Sequence, residues 1–394
     1  MPPQYTAWCA IFAIACALER RVKIPRKYLG GFDCDAFLFV MLIGDPGIGK
    51  GVSMKQVQHI LDRVPLNVGE NIFTKERLFQ QLIEFPRSAV YLILGEFSEV
   101  LQKNKTEIFE FLLRLYDGDK RLMEGTRSRG RETVNNPSLN FIAGTTSAWI
   151  IENITTGVIG GGLPSRVSWV YADPEEAGET KVFYHKDTVS ADFTELEDSL
   201  AHDLQIICGM EGDMKITSGA EYNQRDPDLA PYGDEDATEW FENWCRSNKI
   251  PHLEDANMQN FFARKRTHLH KLAMIRSISL RSDLVITIAD YKFAINAVEK
   301  TEKKVHKVLG KMGKNVYMED TARMYQYVLE HGPVEDAELR RLFESVADPR
   351  RLNDLILGME AAQRIMSLTK GGKKFWVSKE AYDLLMITQT KGGG

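Results

Sequence analysis

The stretch that decides the fold is FVMLIGDPGIGKGVSMKQVQ, residues 39–58. It begins as a continuous apolar run, typical of a strand buried on both faces, and it ends with the spacing of a helix. Between these segments, GDPGIGK (44–50) has the spacing G-x-x-x-x-G-K. Such glycines let the backbone wrap phosphate oxygens with consecutive N–H groups, and the helix that follows presents the positive end of its dipole. The order of strand, glycine loop and helix therefore predicts a phosphate-binding loop.

The loop lacks one group that Mg²⁺ normally uses. Lys50 can reach the β- and γ-phosphates, but residue 51 is Gly, where such loops carry a Ser or Thr hydroxyl for the metal. Ser53 does not replace it, because two helical positions correspond to about 200° of rotation. Either water and another side chain hold the metal, or the affinity for Mg²⁺ is reduced. The predicted nucleotide-binding residues are Gly44, Asp45, Gly47, Ile48, Gly49, Lys50, Gly51 and Val52.

Further apolar runs of strand length alternate with helical segments in the first half of the chain. This alternation predicts an α/β fold with a mainly parallel sheet between helices. The predicted strands are 36–44, 88–96, 138–146 and 166–173, and the predicted helices are 53–64, 75–85 and 104–117.

An acidic residue follows the second of these strands. YLILGEF (91–97) places Glu96 where a P-loop ATPase needs a carboxylate. An Asp-Glu pair usually stands there, with the Asp ordering Mg²⁺ and the Glu activating water, but here Gly95 precedes Glu96. We therefore expect Glu96 to be the general base and the metal-side carboxylate, acting on Mg²⁺ directly or through water. A surface glutamate after a buried strand is the alternative.

Two other strand ends carry candidate catalytic groups. NFIAGTT (140–146) ends in Thr145 and Thr146, either of which is placed to sense the γ-phosphate or to hold the attacking water; a helix cap is the alternative. GGGLPSRV (160–167) places Arg166 at the start of the next strand. An arginine there can act across a subunit boundary as a finger that neutralises charge on the transferred phosphoryl group, or it can form a surface ion pair. We favour the finger.

The sequence changes in character after about residue 192. Amphipathic helical runs with little strand character follow, and the polar stretch 217–237 has the composition of a loop. In the last 80 or so residues, three short helical segments precede RIMSLTKGGKKFWVS (364–378), which has the pattern of a β-hairpin. Three helices followed by a hairpin is the arrangement of a winged helix.

Composition narrows the classes of protein. A length of 394 residues predicts two or three domains, and a net charge of −5 means that nucleic-acid contact must come from local basic patches. The five cysteines form no C-x-x-C pair and no zinc spacing with the histidines, so we expect free thiols. The apolar run AWCAIFAIACAL (7–18) is too short to span a bilayer and is predicted to be a core helix.

Taken in order, these segments resemble the P-loop primase–helicases of phages and plasmids, which are ATPases of the superfamily-3-like or AAA+ type. The resemblance covers most of residues 4–310. The interval between Lys50 and Glu96, with two helices and room for a short strand near NIF (71–73), fits the branch that has an extra strand between the loop strand and the acidic strand. The motifs that carry the resemblance are YTAWCAIFAIACALERRV (5–22), GDPGIGKG (44–51), FTKERLF (73–79), LILGEFSEVL (92–101), LLRLYDG (112–118), NPSLNFIAGTTSAWI (136–150), GGGLPSRV (160–167) and KRTHLHKLAMI (265–275).

The resemblance implies an oligomeric ATPase, expected to be a hexameric ring, that uses ATP and Mg²⁺ and acts on DNA during replication. It implies that Lys50 is the phosphate-loop lysine, Glu96 the acidic-strand residue, Thr145 or Thr146 the sensor, and Arg166 the finger. Arg266, His268 and Lys271 correspond to a second sensor. Priming is not expected, since there is no zinc motif or extra domain, and a phage-encoded chain would act in the cytoplasm of its bacterial host. The implied domains are an ATPase core (1–190), a helical lid (191–312), a winged helix (313–385) and a flexible tail (386–394).

Basic residues in two places are candidates for DNA contact. The segment 119–136 is predicted to form two short strands around RSRG, and a hairpin before the sensor strand lines the pore in helicases of this type. In the predicted winged helix, basic residues lie at the start of the recognition helix and on the wing, although such modules also bind proteins. The candidates are Arg127, Arg129 and Arg131 for single-stranded DNA in the pore, and Arg350, Arg351, Lys370, Lys373 and Lys374 for the winged helix.

Three functions remain open at the level of sequence. The first is an ATP-driven DNA helicase or translocase. The second is a nucleotide-binding switch that loads another helicase and hydrolyses little ATP, and the third is a DNA-binding initiator with an architectural ring. Leu163-Pro164-Ser165-Arg166 after the sensor strand favours AAA+ over RecA-like architecture.

Overall fold

The computed structural model describes residues 1–71, 74–97, 105–126, 130–153, 162–177, 193–216, 236–248, 262, 264–309, 318–344 and 349–391. The chain forms two compact units, residues 1–313 and 314–394. The helices of the first unit are α1 (Pro3–Leu18), α2 (Arg26–Leu29), α3 (Lys50–Leu61), α4 (Lys75–Glu84), α5 (Lys105–Tyr116), α6 (Ser147–Asn153), α7 (Phe193–Cys208), α8 (Ala237–Ser247), α9 (Lys265–Leu280) and α10 (Ile288–Leu309). Its strands are β1 (Val22–Ile24), β2 (Cys34–Asp35), β3 (Phe39–Ile43), β4 (Ala89–Leu94), β5 (Arg121–Thr126), β6 (Gly130–Asn135), β7 (Ser138–Thr145), β8 (Val167–Tyr171), β9 (Gly212–Asp213), β10 (Lys215–Ile216) and β11 (Val285–Ile286).

A four-stranded parallel sheet forms the centre of the first unit, in the order β4-β7-β3-β8. All residues of β3, β4 and β7 are buried, which confirms the prediction that these apolar runs form a mainly parallel sheet covered on both faces. β7 comes after β3 and β4 in the sequence, but in the sheet it lies between them. Outside the strands, Val68 pairs with Tyr91 of β4, a few residues before the predicted short strand; residues 72 and 73 of that segment lie outside the described part of the chain.

Each face of the sheet buries alternate side chains against a different set of helices. One face, with Val40, Leu42 and Ile142, packs against α1, α3, α7, α9 and α10. The other, with Met41 and Phe141, packs against α4, α5 and the β5–β6 hairpin. The prediction that 7–18 is a core helix is confirmed, since α1 is buried along most of its length. Helices α7 to α10, predicted as a separate lid, share this core with α1.

The predicted hairpin before the sensor strand is present as an antiparallel pair, β5 and β6, with Thr126 opposite Gly130. Residues 127–129 at its tip lie outside the described part of the chain. All five cysteines are free, as predicted. Within the ranges given above, no helix is both long and apolar enough to cross a membrane.

The second unit has its own buried core, which includes Met324, Val328, Leu339, Ile356 and Trp376. Its three-stranded antiparallel sheet has the order β12-β14-β13, so the predicted hairpin is joined by one more short strand. The last helix continues through residues 386–391, where the sequence predicts the start of a tail. The elements are α11 (Met318–His331), β12 (Val334–Glu335), α12 (Asp336–Phe343), α13 (Pro349–Ala361), β13 (Ile365–Lys370), β14 (Lys373–Ser378) and α14 (Lys379–Lys391).

Candidate nucleotide-binding site

The loop between β3 and α3 lies at the carboxyl edge of the parallel sheet. Gly47 and Gly49 have φ values of 82° and 107°, a backbone region that glycine enters without strain, and α3 begins at the next residue, Lys50. The amino end of this 12-residue helix is therefore aimed at the turn of the loop. This is the backbone arrangement that binds anions through N–H groups and the helix dipole.

The Lys50 side chain folds into the loop. Its Nζ donates to the carbonyl oxygens of Gly44 at 2.5 Å and Asp45 at 3.0 Å. Burial lowers the pKa of Lys50, while the charges of Glu96 and Asp45 oppose that shift. Glu96, two residues after the end of β4, is thus close enough for its charge to act on Lys50 at the start of α3.

Residues at the start of the chain pack against the loop, which the sequence pattern does not reveal. Tyr5 donates from its hydroxyl to the carbonyl oxygen of Ile43 at 2.6 Å, and a Cβ on Gly44 would stand 2.5 Å from that hydroxyl. Burial raises the pKa of Tyr5, so the phenol stays a donor at neutral pH. Ser53 Oγ lies 2.8 Å from Met1 Sδ and 3.3 Å from the Gly49 carbonyl oxygen, and its one proton is available to either acceptor.

The two glycines at the metal side have room for a side chain. A Cβ on Gly51 or on Gly95 would meet no atom within 4 Å, and neither residue has a positive φ. Packing therefore does not require glycine at either position. In the site that the sequence predicts, Glu96 and Asp45 are the carboxylates whose charges act on Lys50.

Gly144 fixes the approach of β7 to the loop after β4. A Cβ at this position would lie 2.5 Å from the carbonyl oxygen of Gly95, so a side chain would force the two strand ends apart. Glu96, the next residue, is exposed at the same edge. The bare backbone at Gly144 therefore lets Gly95, and with it Glu96, lie close to the end of β7.

The structure distinguishes the two threonines at the end of β7. Thr146 Oγ1 accepts from Trp149 N at 3.2 Å and so caps α6. Thr145 is fully buried, it pairs in register with Ile43 at the start of the loop, and its Oγ1 has no hydrogen-bond partner in the described part of the chain. Because an unpaired buried hydroxyl is unfavourable, Thr145 is the better candidate for a group that binds a ligand.

Arg166 lies at the amino ends of the parallel strands, opposite the end that carries the glycine loop. It precedes β8, whose first residue pairs with Phe39 at the start of β3. Its guanidinium forms a two-point ion pair with Asp117, with Nε to Oδ1 at 2.9 Å and Nη2 to Oδ2 at 2.6 Å. The length of β3, about 13 Å at a strand's rise per residue, separates it from the loop of its own chain.

The three residues predicted to form a second sensor are not brought to Lys50. His268 Nε2 donates to the carbonyl oxygen of Ser165 at 2.9 Å, and Lys271 Nζ donates to that of Phe37 at 2.8 Å. Both partners precede strands, so these side chains lie at the amino edge of the sheet. Burial lowers the pKa of His268 to about 4 and that of Lys271 to about 8. Arg266 is exposed at the start of the same helix.

The basic residues predicted to bind DNA are only partly within the described structure. Arg131 is exposed on β6, while Arg127 and Arg129 lie outside the described residues. In the second unit, Arg350 and Lys370 are exposed, and nothing is described of the Arg351 side chain. Lys373 forms an ion pair with Glu335 at 3.0 Å, and Lys374 lies 4.0 Å from the centre of the Trp376 ring. These wing lysines are thus partly engaged within their own unit.

No protein-family model and no curated protein matches the chain. Similar solved structures include the C-terminal region (305–718) of NrS-1 in its apo A form, at 9% identity and a TM-score of 0.24 over 96% of this chain and 75% of that one. They also include the ORC2 protein of Aeropyrum pernix in complexes with ADPNP and ADP, at 11% identity and a TM-score of 0.21 over 89% of this chain and 86% of that one. At TM-scores this low, neither likeness supports a conclusion about this chain.

Proposed function

We propose that the chain is an ATPase subunit of an oligomeric, expected hexameric, ring that moves along DNA as a helicase or translocase. The observation that carries the proposal is the convergence of Lys50, Glu96 and the unpaired Thr145 hydroxyl at the ends of three adjacent parallel strands. The insertion of β7 between the loop strand and the acidic strand supports the P-loop branch that the sequence resembles. We assign the chain on this basis to the AAA+ type.

The residues can divide the chemistry of ATP hydrolysis between them. The loop N–H groups and Lys50 would hold the β- and γ-phosphates, and Thr145 would hold the γ-phosphate or the attacking water. Glu96 would take the proton from that water as its oxygen attacks the γ-phosphorus and ADP leaves. Mg²⁺, held by the phosphates, water and Glu96, would neutralise charge on the phosphate oxygens. Arg166 would act on the nucleotide of a neighbouring subunit, since it lies far from its own loop.

Contact with DNA would come from the β5–β6 hairpin and from the second unit. The hairpin carries Arg131 at an exposed position of β6 and precedes β7, the predicted sensor strand. In the second unit, three helices followed by a hairpin support a winged helix that contacts DNA through Arg350 and Lys370. Because these side chains would contact phosphates of the DNA backbone, binding should weaken as salt is raised.

A second function, a switch that binds nucleotide and loads a partner with little hydrolysis, is favoured by one observation. Residues 51 and 95 are glycines although the fold has space for side chains there. A site that binds phosphates well but holds Mg²⁺ poorly would retain nucleotide and turn it over slowly.

Steady-state ATPase activity with and without single-stranded DNA tests both functions. We expect turnover that DNA stimulates and that Lys50→Ala and Glu96→Gln abolish, while Glu96→Gln still binds ATP. Lys55→Ala is the matched control, because Lys55 is an exposed lysine on the same helix. Tight nucleotide binding without turnover would favour the switch, and a wild-type protein that binds no nucleotide would contradict both functions.

A further inference from the structure

Asp117 joins two arginines that are far apart in sequence. In addition to its two-point contact with Arg166, Asp117 forms an ion pair with Arg264, with Nη1 to Oδ1 at 3.0 Å. The third nitrogen of Arg166, Nη1, donates to the carbonyl oxygen of Gly162 at 2.9 Å. A Cβ on Gly162 would stand 2.5 Å from that nitrogen, so this glycine is needed for Arg166 to lie where it does.

The two arginines belong to elements that are held together. Arg166 precedes β8, and Arg264 precedes α9. His268 of α9 contacts the carbonyl of Ser165, which is next to Arg166, and buried Lys271 ties the same helix to Phe37. The start of α9 is therefore anchored to the amino edge of the sheet, and Arg264 is kept beside Arg166.

The group of Arg166, Arg264 and Asp117 carries an excess of positive charge and reaches solvent through Arg264 and Asp117, whereas the Arg166 side chain is 11% exposed. The side chains of Asp117 and Arg264 are about one-third exposed, at 34% and 33%. Two guanidinium groups and one carboxylate leave one net positive charge in the group of three. Guanidinium binds carboxylate and phosphate through the same pairs of parallel N–H bonds, so the group has the chemistry to receive a phosphoryl oxygen. Neither arginine is near Lys50 of its own chain, so the phosphoryl group would have to belong to another molecule.

We infer that Arg264 is a second cation that acts with Arg166 on the γ-phosphate held by a neighbouring subunit, and that Asp117 is the positioning residue that keeps the two guanidinium groups side by side. The inference rests on the proposed ring ATPase and adds two residues to it. Arg264 would touch the phosphate in the transition state, whereas Asp117 would act only through the two arginines.

Mixing of variants tests whether Arg264 acts on a neighbour. Arg264→Ala should lower kcat about 10-fold or more with little change in KM for ATP, because removal of an arginine that acts in trans affects the transition state. Lys50→Ala alone should be inactive. In a mixed ring, the intact arginines of the Lys50→Ala subunits should act on ATP bound at the intact loops of neighbouring Arg264→Ala subunits. The activity of the mixture should therefore exceed that of either variant alone. Failure of mixing to restore activity would overturn the role in trans.

The Asp117 role has its own readout. Asp117→Asn should lower kcat about 10-fold, as loss of an orienting partner typically does, with unchanged nucleotide affinity and partial recovery in Asp117→Glu. Mixing with Lys50→Ala should restore it as well, which a general loss of stability would not do. Arg246→Ala is the control, since Arg246 is an exposed arginine paired within one helix to Glu242.

The outcomes separate the inference from the function on which it rests. If the wild-type protein hydrolyses ATP and Arg264→Ala and Asp117→Asn leave kcat unchanged, the inference is wrong and the ATPase stands. If Arg264→Ala and Asp117→Asn both reduce kcat but only through a lower melting temperature, the inference is also wrong. If the wild-type protein has no turnover, the proposed function and the inference fail together.

Discussion

At the scale of single residues, Gly51 and Gly95 stand where the sequence predicts groups that hold Mg²⁺. Both positions have open space around the missing Cβ and a backbone conformation that is not restricted to glycine. Gly49, two residues before Gly51, is different, because its φ of 107° is a conformation that side chains rarely adopt, and an added Cβ would also stand 3.4 Å from the Cβ of Met1. The fold thus needs glycine at position 49 of the loop but not at position 51, in the first turn of α3.

We expect Gly51→Ser to fold normally and to lower the Mg²⁺ concentration needed for half-maximal ATPase activity. The added hydroxyl supplies a metal ligand, and serine should stabilise the helix by about 0.5 kcal/mol relative to glycine. Titration of activity with Mg²⁺ and urea unfolding are the measurements. Gly49→Ser is the control, and it should lose nucleotide binding. An unchanged Mg²⁺ requirement in Gly51→Ser would show that another group holds the metal.

Thr145 and Thr146 should respond in opposite ways to replacement by valine. Thr145→Val removes a buried hydroxyl that lacks a partner in the described part of the chain, so it should preserve or raise stability while it slows ATP turnover. Thr146→Val removes the cap of α6 and should lower the unfolding free energy by about 1 kcal/mol, with the smaller effect on turnover. Urea unfolding and kcat for both variants check this. If turnover is slower in Thr146→Val and unchanged in Thr145→Val, the assignment of the sensor to Thr145 is wrong.

At the scale of elements, α9 carries buried ionisable groups to the amino edge of the sheet. Burial lowers the pKa of His268 from 6.5 to about 4. If Nδ1 were protonated, its N–H would find no hydrogen-bond acceptor among the described residues. His270, on the same helix, also has its pKa lowered by burial to about 4. Such a helix is stable where its histidines are neutral.

The unfolding free energy should therefore fall as pH is lowered from 6.5 to 4. In that window the unfolded chain binds protons at His268 that the folded chain does not, so the stability present above pH 6.5 is lost on acidification. At 1.36 kcal/mol per pKa unit, the effect of one such histidine is on the order of 3 kcal/mol.

The measurement is urea unfolding at a series of pH values for the wild type and for His268→Gln, which keeps a donor for the Ser165 carbonyl. The difference between the two curves isolates His268 from the carboxylates and from His270. We expect the variant to have a shallower decline below pH 6.5. Parallel curves would contradict a buried neutral His268.

At the scale of the whole molecule, the two units have separate cores. Among the described residues, the core of the second unit runs from Met324 to Trp376, and it buries Trp376, which is the sole tryptophan of that unit in the sequence. Trp376 Nε1 also donates to Asp336 Oδ1 at 2.7 Å. In a fragment of residues 314–394, the fluorescence of Trp376 therefore reports the folding of this unit.

We expect a fragment of residues 314–394 to fold alone, with a blue-shifted Trp376 emission that moves to the red in one cooperative urea transition. Leu352→Ala, at a buried position of α13, should lower its stability by about 2–5 kcal/mol, because it leaves a cavity. Leu357→Ala is the matched control, because Leu357 is 47% exposed on the same helix. A fragment with no cooperative transition would show that the unit depends on residues 1–313.

Local patterns were enough to predict much of the fold and part of the site. The buried strands, the helix after the glycine loop, the core helix α1 and the hairpin β5–β6 were all predicted from the sequence and are present. Each depends on residues close together in the chain: continuous apolar runs, apolar residues at helical spacing, or glycines that permit unusual φ values. The positions of Lys50 and Glu96 at strand ends follow from the same local signals.

By itself, the sequence determined the glycine loop, the strands around it and the chemical groups at their ends, because local backbone preference and apolar periodicity depend on neighbouring residues. Only the tertiary structure decided the strand order, the choice between Thr145 and Thr146, and the grouping of Arg166 and Arg264 on Asp117. These depend on pairing and burial between residues far apart in the chain. No local pattern records which distant carbonyl, carboxylate or strand a side chain will meet, because the packing of the whole core sets those contacts.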